Sequence, residues 1–291
     1  MSLWQAVVLG VVQGLTEFLP ISSTAHLRIV PALLDWPDPG AGFSAVIQIG
    51  TLVAVFAYFW RDLTHIVPAT LRSMATRRID SADARLGWLM AIGSVPVVVC
   101  GLSFKKYIEG PWRSLYVISA SMIALALVLL LAEWTVRRRE RSGGKFKELG
   151  ELTWFDGLAV GLAQALALIP GSSRSGVTIT AGLFVGMSRS TAARFSFLLS
   201  LPAVFGAGVY ELYKERHELL GSQDSIINLL ASTVVAGVVG YASIAFLVGY
   251  LKRHSTGLFI IYRLALGALL LYLLQQGILL SQSGEPLAAS R

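Results

Sequence analysis

The sequence predicts an all-α polytopic membrane protein built from two inverted-topology repeats, each a re-entrant helical hairpin followed by three transmembrane helices. Three observations predict it. Only 14% of the 291 residues are charged, against about 25% in an average soluble domain, and the mean hydropathy is +0.66. Several apolar runs reach the roughly 20 residues that a helix needs to cross a bilayer. The same order of elements also occurs twice: apolar sequence, a break at a proline, then serines, then longer apolar runs. The alternation of a membrane β-barrel is absent.

The first repeat occupies 1–150. Its opening segment, 3–19, carries no charge before Glu17, and a short second segment, 21–35, ends at the turn Asp35-Trp36-Pro37-Asp38-Pro39-Gly40. Each is near or below the length of a full span. With Pro20 between them they predict a re-entrant hairpin over 3–35. The segment from Leu3 to Leu19 lacks a basic n-region and a small-residue cleavage site, so it is expected to belong to the fold rather than to a cleaved signal. Spans follow at 41–60, closing on the interface marker Trp60-Arg61-Asp62, at 86–104, with a kink expected at Pro96, and at 114–136. The polar connection 61–85 is expected to include an amphipathic surface helix near Ile66 to Ala75.

The second repeat occupies 151–291. Short segments 154–170 and 176–187 flank a Pro-Gly-Ser-Ser break and predict a re-entrant hairpin over 154–187. Spans follow at 191–212, expected to be broken by Pro202, at 225–250 and at 258–280, with a polar tail from Ser281. Matching residues support the repeat: Gln13 with Gln164 at an offset of 151, Pro20-x-Ser-Ser with Pro170-x-Ser-Ser at 150, and Phe43-Ser44 with Phe195-Ser196 at 152. Together the repeats make one integral membrane domain.

Each half crosses three times, and an odd number turns the second half upside down, as in many folds whose broken helices meet near the midplane. The basic residues test that count. Loops 61–85, 137–153 and 251–257 hold five, six and two Lys or Arg, while loops 105–113 and 213–224 hold three and two. The first set is therefore expected on the cytoplasmic side, and the two hairpins enter from opposite faces with their tips meeting. Basic residues gathered in loops also account for the net charge of +7, so nucleic acid is not an expected partner. Cys100 is alone, which excludes a disulfide within the chain and a cysteine metal cluster.

The two breaks carry chemistry. A carboxylate such as Glu17 costs about 2.5–3.5 kcal/mol at the centre of a membrane helix, so it is expected to face a protein interior or a water-filled cavity. Gln13 and Glu17 are four apart and share a helix face. After Pro20 come Ser22, Ser23, Thr24 and His26; after Pro170 come Gly171, Ser172, Ser173, Arg174 and Ser175. A helix that starts at such serines points its N–H groups at the break and receives anions, and Arg174 adds a planar cation suited to phosphate oxygens. A carboxylate, hydroxyls, an imidazole and a guanidinium suit phosphoryl transfer. Elsewhere Arg189 and Arg194 read as anchors of a span, Glu133, Glu211 and Arg263 as side chains snorkelling at span ends, Gln48 as a minor site candidate, and His65, His217 and His254 as residues in or near loops.

Gln13-Gly14-Leu15-Thr16-Glu17-Phe18-Leu19-Pro20-Ile21-Ser22-Ser23-Thr24-Ala25-His26 resembles the first motif of the bacterial undecaprenyl-diphosphate phosphatases, also called bacitracin-resistance proteins. Pro170 to Gly176 meets their Pro-Gly-x-Ser-Arg-Ser-Gly pattern in full, and Arg194 to Leu199 with Pro202 is similar to a third stretch. Gln13 departs from a glutamate found in many members, and Ala25 from a glycine. The resemblance implies an enzyme that removes the terminal phosphate of a C55 isoprenoid diphosphate and so recycles the lipid carrier of peptidoglycan synthesis. It implies a place in the bacterial cytoplasmic (inner) membrane with the site open to the outer face. It implies catalytic roles for Glu17, Ser23, His26 and Arg174, and a divalent cation, Mg2+ or Ca2+, on Glu17. Gln13, Ser22, Thr24, Gly171, Ser172, Ser173 and Ser175 are expected to bind the substrate. Partners are the polyprenyl diphosphate and membrane lipids, with a homodimer allowed. Ser23 is the expected nucleophile, activated by Glu17 or His26, with His26 itself as the second choice. The competing class is a lipid-carrier flippase or ion-coupled transporter. An intramembrane serine protease fits poorly, since no G-x-S-x-G elbow is present.

Overall fold

A computed structural model describes residues 1–219 and 221–279; the tail from Ser281 and the end of the last expected span lie outside the described residues. Among these residues the regular structure is helical and no strand is formed. In chain order the helices are α1 (Leu3–Phe18), α2 (Ser23–Leu33), α3 (Gly40–Tyr58), α4 (Trp60–Thr76), α5 (Ala82–Ser103), the short α6 (Lys105–Glu109), α7 (Leu115–Arg141), α8 (Trp154–Ala165), α9 (Arg174–Phe184), α10 (Arg189–Lys214), the single turn α11 (Arg216–Leu219), α12 (Gln223–Leu251) and α13 (Gly257–Gln275). Five of them, α5, α7, α10, α12 and α13, are long and apolar enough to cross a membrane. The bent pair α3–α4 is a sixth candidate. This is a multi-pass membrane protein. Large apolar side chains such as Phe155, Val238 and Ile261 are about 70% exposed on its flanks, an arrangement suited to lipid rather than water.

Local sequence explains the helix starts. Ser2 and Gln5 form a capping box at α1, and Thr153 and Asp156 form one at α8. Ser81, Ser188 and Ser222 cap α5, α10 and α12. One proline behaves differently from expectation. Pro202 lies inside an unbroken helix, so α10 is a single span and not a broken one; Pro96 likewise lies within the continuous α5. Ser94 Oγ of α5 donates to the Leu199 carbonyl of α10 at 3.3 Å, a polar contact between the two helices. The helix expected near Ile66 to Ala75 is longer. Trp60-Arg61-Asp62 begins it, and it leaves α3 at an angle of 86° across Phe59. It buries Leu63, Ile66 and Ser73, and Ser73 Oγ accepts from Trp88 Nε1 of α5 at 2.8 Å.

The helices pack in a pattern that exchanges the two halves. α1 packs on α12 as α8 packs on α5, and α3 packs on α12 as α10 packs on α5. α3 meets α10, and α7 meets α13. Small residues make these approaches close. A Cβ on Gly10 would lie 2.6 Å from the Ser232 carbonyl of α12, and one on Gly161 would lie 2.6 Å from Gly93 Cα of α5. Gly10 and Gly161 each stand three residues before Gln13 and Gln164.

Glu133 corrects an expectation. It does not snorkel at a span end but is 1% exposed. It accepts from Arg189 Nε at 3.1 Å, from Arg189 Nη2 at 2.5 Å and from Thr256 Oγ1 at 2.9 Å, with Arg137 at 3.5 Å. One carboxylate thereby ties α7 to the starts of α10 and α13. Arg189 is accordingly more than an anchor; it also reaches Glu140 at 2.6 Å. Arg194 pairs with Asp62 of α4 at 2.8 Å. Glu211 sits between Lys105 and Lys214, in keeping with its place near a span end. Breaking the buried pair through Glu133→Gln is expected to cost about 3 kcal/mol, the low end for such a loss because Glu140 stays on Arg189. Thermal unfolding in detergent checks this; an unchanged midpoint would remove Glu133 from the framework.

Candidate active site

The two breaks share a backbone device. α1 stops at Phe18, Leu19 is extended, and Ser22 turns the chain with φ 76° before α2 starts at Ser23. α8 stops at Ala165, a 3-10 turn covers Leu166–Leu168, and Ser173 turns the chain with φ 67° before α9 starts at Arg174. A left-handed conformation at a residue with a β-carbon costs on the order of 1–3 kcal/mol and persists only where its surroundings hold it. Ser22 and Ser173 are 151 apart, like Gln13 and Gln164, so the proline match at 150 is one residue out of register. In the corrected register Ser23 corresponds to Arg174, His26 to Val177 and Glu17 to Leu168. The tips share a shape and divide the chemistry.

Glu17 brings the two tips together. Its Oε1 accepts from Arg174 Nη2 at 2.8 Å. Its Oε2 accepts from Ser23 Oγ at 2.7 Å and from Gln13 Nε2 at 2.9 Å. Ser175 Oγ donates to the Leu19 carbonyl at 3.1 Å, a second bond between tips. Within the tips, Ser22 and Thr24 hydroxyls lie 3.1 Å apart, and Ser173 Oγ caps Gly176 N at 3.1 Å beside Ser175 Oγ at 3.2 Å. Ser172 is fully buried, and its hydroxyl has no partner among the described residues.

His26 is placed elsewhere. Its Nδ1 lies 2.7 Å from the Ser22 carbonyl, which can only accept, so Nδ1 carries the proton. Its Nε2 lies 2.6 Å from the Tyr262 hydroxyl, and the two rings stack at 5.6 Å. Both ring nitrogens are engaged, and neither meets Ser23. The next residue, Arg263, serves the other tip. It is fully buried and donates through Nη2 to the Ser172 carbonyl at 2.9 Å and towards the Gly171 carbonyl at 3.4 Å. Arg263 is therefore not a snorkelling residue. Consecutive residues of α13 brace both tips. The sequence signal for them was weak but present: an arginine well inside an apolar run.

A cavity of about 300 Å3 opens beside the cluster. Glu17, Ser23, Thr24, Gln48, Gln164 and Arg174 form its polar wall. Val97, Ile108, Leu168 and Val204 form an apolar one. Buried polar atoms without a partner among the described residues include Arg174 Nη1 and both amide atoms of Gln164, and both residues line the cavity. Such atoms are free to bond a polar ligand or ordered water in the cavity. Sequence reasoning treated Gln164 only as a sign of the repeat, and it missed Arg28 and Arg113, which also line the cavity.

The donor set does not complete a site for a resident divalent cation. No group of three His, Cys, Asp or Glu converges among the described residues. Glu17 is the one carboxylate lining the cavity among them, and a guanidinium lies 2.8 Å from it; the oxygens without a partner nearby, Gln13 Oε1, Gln164 Oε1 and Ser172 Oγ, are neutral. Ca2+ takes six to eight oxygens, and Mg2+ takes one or two carboxylates with waters and substrate phosphates, so a single carboxylate already paired with a guanidinium does not make a resident site.

Fold and site define a class: a multi-pass helical membrane protein with a serine, a carboxylate and an arginine joined inside it, beside a cavity that is polar on one side and apolar on the other. The chain belongs to a known family of that class, described as bacitracin resistance protein BacA, which it matches over residues 6–269. It is 60% identical over 278 residues to an undecaprenyl-diphosphatase of Chloroherpeton thalassium, covering 95% of this chain and 98% of the relative. It is 57% identical over 278 residues to one from Prosthecochloris aestuarii, covering 95% and 99%, and 57% identical over 281 residues to one from Chlorobaculum tepidum, covering 96% and 100%.

The bracing by α13 has a measurable consequence. Arg263→Met removes the donor from the Gly171 and Ser172 carbonyls and is expected to speed amide exchange at 171–176 by at least about tenfold, the equivalent of 1.4 kcal/mol. Hydrogen exchange in detergent reads this directly, and unchanged protection there would refute the brace.

Proposed function

We propose that this chain is an undecaprenyl-diphosphate phosphatase. It hydrolyses the terminal phosphoanhydride of the C55 lipid to undecaprenyl phosphate and inorganic phosphate, which recycles the cell-wall lipid carrier and gives bacitracin resistance. One observation carries the reading: Glu17 holds the Ser23 hydroxyl on one oxygen and the Arg174 guanidinium on the other. Membership of the bacitracin-resistance family and the names of its relatives support it.

In the proposed reaction Arg174 keeps Glu17 with one arm and offers Nη1 to the terminal phosphate. Ser23 Oγ gives its proton to Glu17 Oε2 and bonds to the terminal phosphorus as the bond to the bridging oxygen breaks. The electron pair leaves with the lipid phosphate, which then takes the proton from Glu17. Water next attacks the phosphoserine, and Glu17 passes one of its protons to the departing Ser23 Oγ, freeing phosphate. The Gln164 amide and the start of α9 at Ser173 and Arg174, which line the cavity, bind phosphate oxygens, while Gly171, Ser172 and Ser175 shape the turn behind them. His26, held at both nitrogens, positions Ser22 rather than attacking. A divalent cation brought in by the phosphates would meet Glu17, the one carboxylate lining the cavity among the described residues, and would screen phosphate charge; no step depends on it. A flippase or ion-coupled transporter has no need of a serine hydroxyl bonded to a carboxylate beside an arginine.

Two finer features belong to the same proposal. The exchange packing of the halves supports an inverted-topology repeat with halves at 1–150 and 151–291. The distribution of basic loops supports a bacterial inner-membrane setting, with the cavity reached from the outer face through the loops around Asp38 and Arg113. The site's residues all come from one chain, so a homodimer would not be needed for the chemistry.

Phosphate release from undecaprenyl diphosphate in detergent is expected to fall by about 10²–10³-fold or more in Ser23→Ala, Glu17→Gln and Arg174→Gln, the scale on which a lost transition-state donor is felt. Trapped phosphoenzyme is expected on Ser23. Phosphate mapped to His26, with Ser23→Ala still active, would sink the serine route. Gln13→Glu adds a second carboxylate and is expected to tighten Mg2+ binding, read by calorimetry on the purified protein; unchanged affinity would mean that position 13 is not a ligand position.

A further inference from the structure

The cavity has a second basic end that the reaction above does not use. Arg28 lies on α2 one turn beyond Thr24, about 6 Å along the helix axis, and both side chains line the cavity. Arg113 reaches the same cavity from the connection before α7. Both arginines pair with one carboxylate, Asp38, on the turn between α2 and α3: Arg28 through Nη1, and Arg113 through Nη2 at 3.5 Å. Burial grades outward along this set, with side-chain exposures of 10% for Arg28, 27% for Arg113 and 33% for Asp38. Asp38 therefore marks the mouth, and Glu17 with Arg174 marks the inner end.

Among the described residues the cavity lining holds three guanidiniums, Arg28, Arg113 and Arg174, and one carboxylate, Glu17. The guanidinium fork binds carboxylate and phosphate with the same geometry, so a carboxylate on two arginines is an internal stand-in for a phosphate. A diphosphate ester brings two phosphates in line. If Arg174 and Ser23 take the terminal one, its neighbour points towards the mouth, because the lipid must leave the cavity.

Resting on the phosphatase reading, we propose that Arg28 and Arg113 form a second phosphate subsite, which grips the lipid-side phosphate after displacing Asp38. The subsite holds the phosphate that stays on the lipid. It therefore acts on substrate and lipid product alike, and not on released inorganic phosphate.

The test combines kinetics with direct binding on the full chain in detergent. Arg28→Gln and Arg113→Gln are each expected to raise KM for undecaprenyl diphosphate about tenfold, the effect of losing about 1.4 kcal/mol from a charge-assisted bond, with kcat kept. The Kd for undecaprenyl phosphate, followed by tryptophan fluorescence, should rise by the same factor, while inhibition by inorganic phosphate stays at the wild-type value. Arg28→Lys keeps the charge but loses the fork, so it should recover only part of the loss. Asp38→Asn removes the internal competitor and should tighten both lipids. The proposal is overturned if the arginine variants bind undecaprenyl phosphate as wild type does, or if inorganic phosphate is the ligand they lose. It also fails if Asp38→Asn weakens binding as much as Arg28→Gln, since Asp38 would then be a clasp and not a competitor. A wild type that binds undecaprenyl phosphate through Arg28 but releases no phosphate from the diphosphate would instead defeat the phosphatase reading alone. Unfolding midpoints identify a variant that has lost its fold, and the second arginine variant then carries the comparison.

Discussion

The contact between Glu17 and Arg174 is the interaction on which the rest of the molecule depends. Neither residue is tolerable alone at that depth. A carboxylate inside an apolar helix costs several kcal/mol, and an unpaired guanidinium costs as much. Placed 2.8 Å apart they relieve each other, and the same carboxylate then has its second oxygen left for Ser23 and Gln13. The pairing, between residues 157 apart in the chain, is possible only if the two helix breaks arrive at one point. The packing of α1 on α12 and of α8 on α5 does that, and glycines at those contacts let the backbones approach closely enough.

The tips are held rather than relaxed. Ser22 and Ser173 both occupy the left-handed region, where a glycine would be easier. Serine stands there all the same. At 173 its hydroxyl caps α9, and at 22 its hydroxyl lies 3.1 Å from that of Thr24. α13 then fixes both tips through Tyr262 and Arg263, so the strain is restrained from outside the motifs themselves. A fixed geometry suits phosphoryl transfer, where most of the rate enhancement is positioning and charge.

Buried charge is spent unevenly across the molecule. At one end Glu133 binds Arg189, Arg137 and Thr256, and those groups saturate it. Asp156 is likewise saturated by Lys147 and Thr153. These are structural clasps. At the cavity, by contrast, Arg174 Nη1 and the Gln164 amide keep hydrogen-bonding capacity unmet among the described residues.

The sequence by itself determined the class of the protein and the inventory of its site. Apolar length predicts spans, and proline followed by serines predicts the breaks. The i, i+4 spacing of Gln13 and Glu17 places them on one face, because each of these is a local property of the chain. Tertiary structure decided how the inventory is wired. It put Ser23 on Glu17 and His26 on Tyr262, 236 positions away, and so separated two groups that lie three residues apart in the motif. It turned α4 by 86° from α3, kept α10 continuous through Pro202, and buried Glu133 and Arg263 where hydropathy suggested span ends. Hydropathy records how apolar a stretch is but not what faces it. The partner of a buried polar group is set by helices that meet only after folding, and no local pattern in the chain encodes that meeting.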